Sequence, residues 1–165
     1  MSLPAQPESA PVRSQPPPLW LMHRIVNPAA RRIVASPLGR WTGPLLLLRF
    51  TGRRTGRRYE VPVVGHHLGE SWHVFTDAAW ALNFRGGRTV TAVGGGQQLQ
   101  GLGHLIDDAT ETAAAMRLVL GQVPSPRRLG LHIDPSHRPS DNELTAVRRM
   151  IRLTTYPKAS HGPRA

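Results

Sequence analysis

The sequence predicts a mainly β, α+β fold: one domain built as a six-stranded split β-barrel with flanking helices. Three observations predict it. Between Leu45 and Asp107, apolar residues recur at strand period in five short runs, most of them separated by hairpin-length turns. One gap, residues 79–87, has room for only a turn or two of helix before the strand period resumes, which suggests a barrel that is split rather than continuous. Helical spacing is confined to the flanks, and a last apolar run at 151–156 has the length of a sixth strand.

Taken in order, residues 1–18 carry six prolines and almost no large apolar side chain, so they cannot repay their ordering entropy and are expected to form a disordered tail. The folded domain is expected over 19–156, with a second tail at 157–165. Residues 19–26 and 28–35 show helical spacing, with Asn27 placed as a cap and Pro28 in the first turn of the second piece. Strands are expected at 45–51, 59–67, 72–77, 88–93 and 97–107. Pro62 removes a ladder donor, which places it at an edge or a bulge. A helix is expected from Ala109 to Leu120, with Asp108 as N-cap, Glu111 completing a capping box, Gly121 beyond its end, and Ala113, Met116 and Leu120 on its core face. Residues 122–139 read as a proline-interrupted loop. Ser140 and Glu143 form a second capping box for a helix to about Arg149.

Composition narrows the chemistry. The 165 residues include no cysteine, which excludes a disulfide framework, thiolate metal sites and thiol catalysis. The start of the chain lacks the basic leader and apolar core of a secretory signal, so the expected location is cytoplasmic. A net charge of +11 points toward anionic partners, but among the 21 basic residues only Lys158 is lysine, and Gly, Pro and Ala are abundant. GC-rich codons generate that pattern without any polyanion, so charge placement decides.

Charge is concentrated at Thr51-Gly52-Arg53-Arg54-Thr55-Gly56-Arg57-Arg58, between two apolar strands. Glycines let backbone N–H groups approach an oxyanion, threonines add hydroxyl donors, and arginine forks match phosphate or carboxylate oxygens with paired bonds. The bland alternative is a solvated hairpin tip. The Lys-Ser/Thr ending and following helix of a Walker loop are missing.

This loop, with Arg49-Phe50 before it and Tyr59-Glu60-Val61-Pro62-Val63 after it, resembles the signature of the deazaflavin-dependent nitroreductase family, and Trp80-Ala81-Leu82-Asn83-Phe84-Arg85 matches that family's Trp-x-x-Asn-x-Arg element at the right spacing. The resemblance spans residues 45–107. It implies a six-stranded split barrel related to FMN-binding barrels, with coenzyme F420 (8-hydroxy-5-deazaflavin) as cofactor and FMN as the alternative. Carried over position by position, Arg53, Arg54, Thr55 and Gly56 would contact the cofactor's phosphate and tail, with Arg58 and Tyr59 following. Val63 would lie along the ring, Thr76, Asp77 and Ala78 would approach the ring or ribityl chain, and Trp80 and Asn83 would close the site. Trp80 also reads as a core aromatic, whereas Asn83, as a buried amide, needs partners.

Tyr59 stands where many relatives carry a further basic residue, the spacer between Asp77 and Trp80 is shorter, and the C-terminal part has only Tyr156 where the characterised branch uses several tyrosines. No catalytic residue is therefore assigned. The implied function is an F420H2-dependent reductase passing hydride to a small acceptor such as a quinone, an enone or a nitroaromatic, since the cofactor carries the hard chemistry. The alternative is a non-catalytic deazaflavin- or flavin-binding module. Related barrels often pair, so the chain is read as a monomer or homodimer.

No metal site is expected. His66 and His67 are strand neighbours and point to opposite faces, and His132, Asp134 and His137 sit in a loop without a scaffold. Nucleic acid is not expected as a partner, because few aromatics accompany the arginines. The N-terminal region sets His23, Arg24, Arg31 and Arg32 beside Leu19, Trp20, Leu21 and Ile25; it reads as a helix packed on the barrel, with peripheral contact to an anionic membrane as the alternative.

Overall fold

The structure, a computed structural model, describes residues 12–14 and 45–156. The helices expected at 19–26 and 28–35, the membrane contact read from them, and the tail at 157–165 lie outside the described residues.

Six strands form the barrel: β2 (Leu45–Thr51), β3 (Arg58–Leu68), β4 (Ser71–Thr76), β5 (Arg88–Gly94), β6 (Gln97–Ile106) and β8 (Arg149–Tyr156). Antiparallel ladders close it in the order β2-β3-β4-β8-β6-β5. β3 shows where its two halves part. Its first half pairs with β2, Leu45 opposite Val64 through Thr51 opposite Arg58, and only from Gly65 onward does it pair with β4. Pro62 falls in the first half, so its other edge faces no ladder among the described residues, as a residue without an N–H requires.

Alternation in β2 sets the interior. Leu46, Leu48 and Phe50 join Val63, Val74, Ala81, Phe84, Val90, Ala92, Leu105, Ile151 and Leu153 in one buried cluster. Leu47, on the opposite face, joins a separate cluster with Val93. Full burial of each large apolar side chain stabilises by about 1.5–3 kcal/mol.

Helix α1 (Ala109–Gln122) lies outside the barrel. As expected, Asp108 caps it, accepting from the Glu111 amide at 2.8 Å. Its stop differs: Gly121 lies inside the last turn with no positive φ, and Val123 is the C-cap. Pro124 explains this, because the residue before a proline is driven out of the helical region. The buried face is Thr112, Ala113, Ala115, Met116 and Val119, with Leu120 only partly covered.

The stretch 122–139 holds more than a loop. A 3₁₀ turn (Pro126–Leu129) precedes β7 (Leu131–Ile133), which pairs with β1 (Val12–Ser14). β1 falls within the stretch expected to be disordered. Its anchor is Val12, the one β-branched residue there, which is buried. Helix α2 (Asp141–Val147) has the expected Ser140–Glu143 capping box but ends earlier than expected, since Arg148 is extended and β8 begins at Arg149.

Candidate functional site at one end of the barrel

The antiparallel connectivity brings four connections to one end of the barrel: the 52–57 turn between β2 and β3, the 77–87 segment between β4 and β5, the 107–108 exit from β6, and the entry to β8 at Arg148. Every candidate residue except Val63 lies at this end.

The 52–57 turn is closed on itself. The Gly52 amide donates to the Arg57 carbonyl at 2.7 Å, and the Gly56 amide donates to the Gly52 carbonyl at 3.1 Å. Gly56 takes φ +65°, which a residue with a Cβ adopts only under strain. The Arg57 amide donates to Thr55 Oγ1. Arg53, Arg54, Arg57 and Arg58 are all exposed, and among the described residues none has an acidic partner.

A 3₁₀ turn (Ala79–Phe84) forms the opposite wall. Phe84 is fully buried and packs on Phe50 at 4.7 Å; Phe50 stacks on Tyr59 at 5.2 Å and meets Trp80 at 5.9 Å. Tyr59 and Trp80 are half-buried, so their outer surfaces form an aromatic ledge beside the arginines. Asn83 joins the two segments. Its Oδ1 accepts from the Arg53 amide at 2.9 Å and its Nδ2 donates to the Trp80 carbonyl at 2.9 Å. Arg53 Nη1 reaches the Arg85 carbonyl at 3.5 Å.

Beyond Arg85 opens a cleft of about 170 Å³, lined by residues that include Arg85, Asp107, Thr112, Thr145, Arg148 and Arg149. Its floor is fixed by Arg148, whose side chain is 5% exposed. Arg148 pairs with Asp77 at 2.7 Å and donates to the carbonyls of Leu129 and Gly130. Arg149 donates to the Asp77 carbonyl at 2.9 Å, and Thr76 Oγ1 accepts from the Ala78 amide.

Arg53, Arg54, Thr55, Gly56, Arg58, Tyr59, Trp80 and Asn83 thus form one continuous surface. Thr76, Asp77 and Ala78 lie at the same end, where Asp77 bonds Arg148 and Arg149 at the start of β8 and Thr76 bonds Ala78. Val63 lies on the same face of β3 as Tyr59 but further from this end, buried in the barrel core. Asn83 has both ends of its amide on backbone, so it holds the wall rather than presenting a free group. The sequence reading passed over Phe50 and Arg148. Phe50 carried a signal, being an aromatic directly before the basic loop. Arg148 carried none, since it reads as the last turn of a helix.

The described residues present a rim of exposed guanidinium groups and an aromatic ledge rather than an enclosed pocket. The cleft volume is below the ~300–1,000 Å³ of ligand pockets. The donor set fits the phosphate end of a flavin-type cofactor, because unpaired guanidinium forks and the tip amides of Arg54 and Thr55 remain available among the described residues.

The histidines lie elsewhere. His66 and His73 face each other across β3 and β4, and burial pushes both below the usual histidine value; His73 lowers His66 further. His137 binds Glu143 at 2.9 Å and Asp134 binds Ser136, so neither is held for a metal. Among the described residues no group of three or more His, Cys, Asp or Glu side chains converges on a metal position, and no helix is long and apolar enough to cross a membrane.

No family model matches the chain, and no curated protein does. Solved structures do. An F420-H2 dependent reductase matches with a TM-score of 0.48 and 14% identity, covering 67% of this chain and 94% of its own. A pyridoxamine 5′-phosphate oxidase-related, FMN binding protein from Nostoc punctiforme matches at 0.40 and 16%, covering 79% and 81%. A FAD and heme binding protein from Mycobacterium smegmatis matches at 0.46 and 14%, covering 75% and 65%. These likenesses are of fold, and the barrel itself rests on the ladders described above.

Proposed function

We propose that this chain is a deazaflavin-dependent oxidoreductase that binds reduced coenzyme F420, with FMN as the alternative cofactor, and serves hydride transfer to a small planar acceptor such as a quinone, an enone or a nitroaromatic. The observation that carries the reading is the run of exposed guanidinium groups without acidic partners, set beside an aromatic ledge at the barrel end where both family-like motifs meet. A tip devoted to solubility would not need to be tied to the second motif.

When bound, the reduced cofactor supplies the hydride. Arg54, Arg57 and Arg58, with the amides of Arg54 and Thr55, would hold its phosphate by charge-assisted bonds. Tyr59 and Trp80 would give the ring an apolar surface and exclude water from one side. Arg85 and Arg149 flank the cleft in which an acceptor is received.

The small cleft favours a second reading, a cofactor-binding module without turnover. Mixing the protein with reduced F420 and a panel of quinones, enones and nitroaromatics separates the two. Acceptor-dependent oxidation of the cofactor is the expected result. Binding without oxidation by any acceptor leaves the module, and neither binding nor oxidation defeats the proposal.

A further inference from the structure

We infer that Asn83 is the positioning residue of the cofactor site, latching the arginine turn to the barrel so that its donors are aimed before the phosphate arrives. The inference rests on the cofactor reading above. The 52–57 turn closes through bonds between its own residues and is anchored at its base, where Thr51 pairs with Arg58; none of these bonds ties its outer residues to the facing wall. That tie comes from the 3₁₀ turn. Asn83 Oδ1 takes the Arg53 amide at 2.9 Å across thirty residues of chain, and Asn83 Nδ2 is anchored on the Trp80 carbonyl. Arg53 Nη1 adds a longer bond of 3.5 Å to the Arg85 carbonyl, in the same wall.

The geometry also divides labour within the turn. With the Arg53 amide held by Asn83 and the Gly52, Gly56 and Arg57 amides satisfied inside the turn, the amides of Arg54 and Thr55 are the ones left at the tip. A mobile, arginine-rich tip must lose backbone and side-chain freedom on binding, whereas a latched one has already lost part of it. Asn83 therefore acts through the turn, without touching the ligand. Phe84, its chain neighbour, is fully buried against Phe50, so the anchor is rigid.

Two measurements on the full chain test this. Amide exchange without cofactor follows the Arg53 amide directly. It should exchange at least tenfold faster in Asn83→Ala while the barrel strands keep their protection, and Asn83→Asp, which retains an acceptor oxygen, should keep the Arg53 amide protected. Fluorescence titration with F420 gives the second readout. Asn83→Ala should weaken binding about tenfold, and the loss caused by Arg54→Ala should shrink at least threefold in the Asn83→Ala background, because an unlatched turn no longer aims Arg54. Unchanged exchange in Asn83→Ala, unchanged affinity, or strict additivity with Arg54→Ala overturns the latch while leaving the cofactor reading intact. Absence of F420 binding by the wild type overturns both.

Discussion

Substituting Gly103 by alanine should damage the barrel at the point that supports the candidate site. A Cβ on Gly103 would meet Phe84 Cδ1 at 2.5 Å and Cε1 at 2.6 Å, with Leu153 Cδ2 at 3.0 Å. Phe84 is fully buried and boxed by Phe50 at 4.7 Å and Trp80 at 6.2 Å, so its ring has no free direction. Overpacking of this kind costs about 1–3 kcal/mol. For a domain of this size that lowers Tm by about 3–18 °C, at roughly 3–6 °C per kcal/mol. Phe84→Leu alone leaves a cavity and should cost about 1–2 kcal/mol. Combined, the two changes relieve each other, and the double variant should be at least ~0.5 kcal/mol more stable than the sum of the singles. Thermal and urea unfolding of the four proteins measure this cycle. A Gly103→Ala variant with wild-type Tm, or full additivity in the cycle, would refute the claim that Phe84 is wedged over Gly103.

Other regions give independent expectations. Arg148→Met strands the carbonyls of Leu129 and Gly130 and removes the Asp77 pair; it should cost about 2–4 kcal/mol in urea unfolding, and a cost below ~1 kcal/mol would show that the buried guanidinium is dispensable. Asp108→Ala removes the acceptor for the Glu111 amide and should cost about 1 kcal/mol, read from the same transition. Burial, the main cause, and Arg152 lower the His73 pKa in the folded protein below the ordinary 6.5, against a weaker opposing effect of the Ser71 backbone and Glu111. The unfolded chain then binds more protons, so this contribution is whole above pH 6.5 and is lost as pH falls from there through the folded value. His73→Gln should flatten that limb of the stability–pH curve, and an unchanged slope would contradict the assignment.

The barrel was legible because period-two alternation is a local signal: Leu46, Leu48 and Phe50 announce their face without knowing their partners. β1 was not, since three residues inside a proline-rich stretch become a strand only by pairing with Leu131–Ile133, far away in sequence. The stop of α1 was misplaced for a local reason, with Pro124 rather than Gly121 deciding. At the site, residue types announced an arginine-rich turn and an amide in need of partners, which the structure leaves half-buried. What sequence could not supply was the partner of that amide, an N–H thirty residues upstream. Val63 was read as lining a ring from its place after Pro62; it shares its strand face with Tyr59 but lies deeper, among the buried core residues. Arg148 looked like the end of a helix because its burial comes from carbonyls at Leu129 and Gly130, which no local pattern reveals.

The most direct test of the central claim is fluorescence titration of the wild type and Arg54→Ala with F420 and with FMN at moderate salt. Micromolar binding of F420 is expected, weakened in Arg54→Ala by about 1.5–3 kcal/mol, or roughly 10- to 160-fold, as one charge-assisted bond to phosphate is lost. Equal affinity of the two proteins for the cofactor would place the phosphate away from the arginine turn and contradict the account.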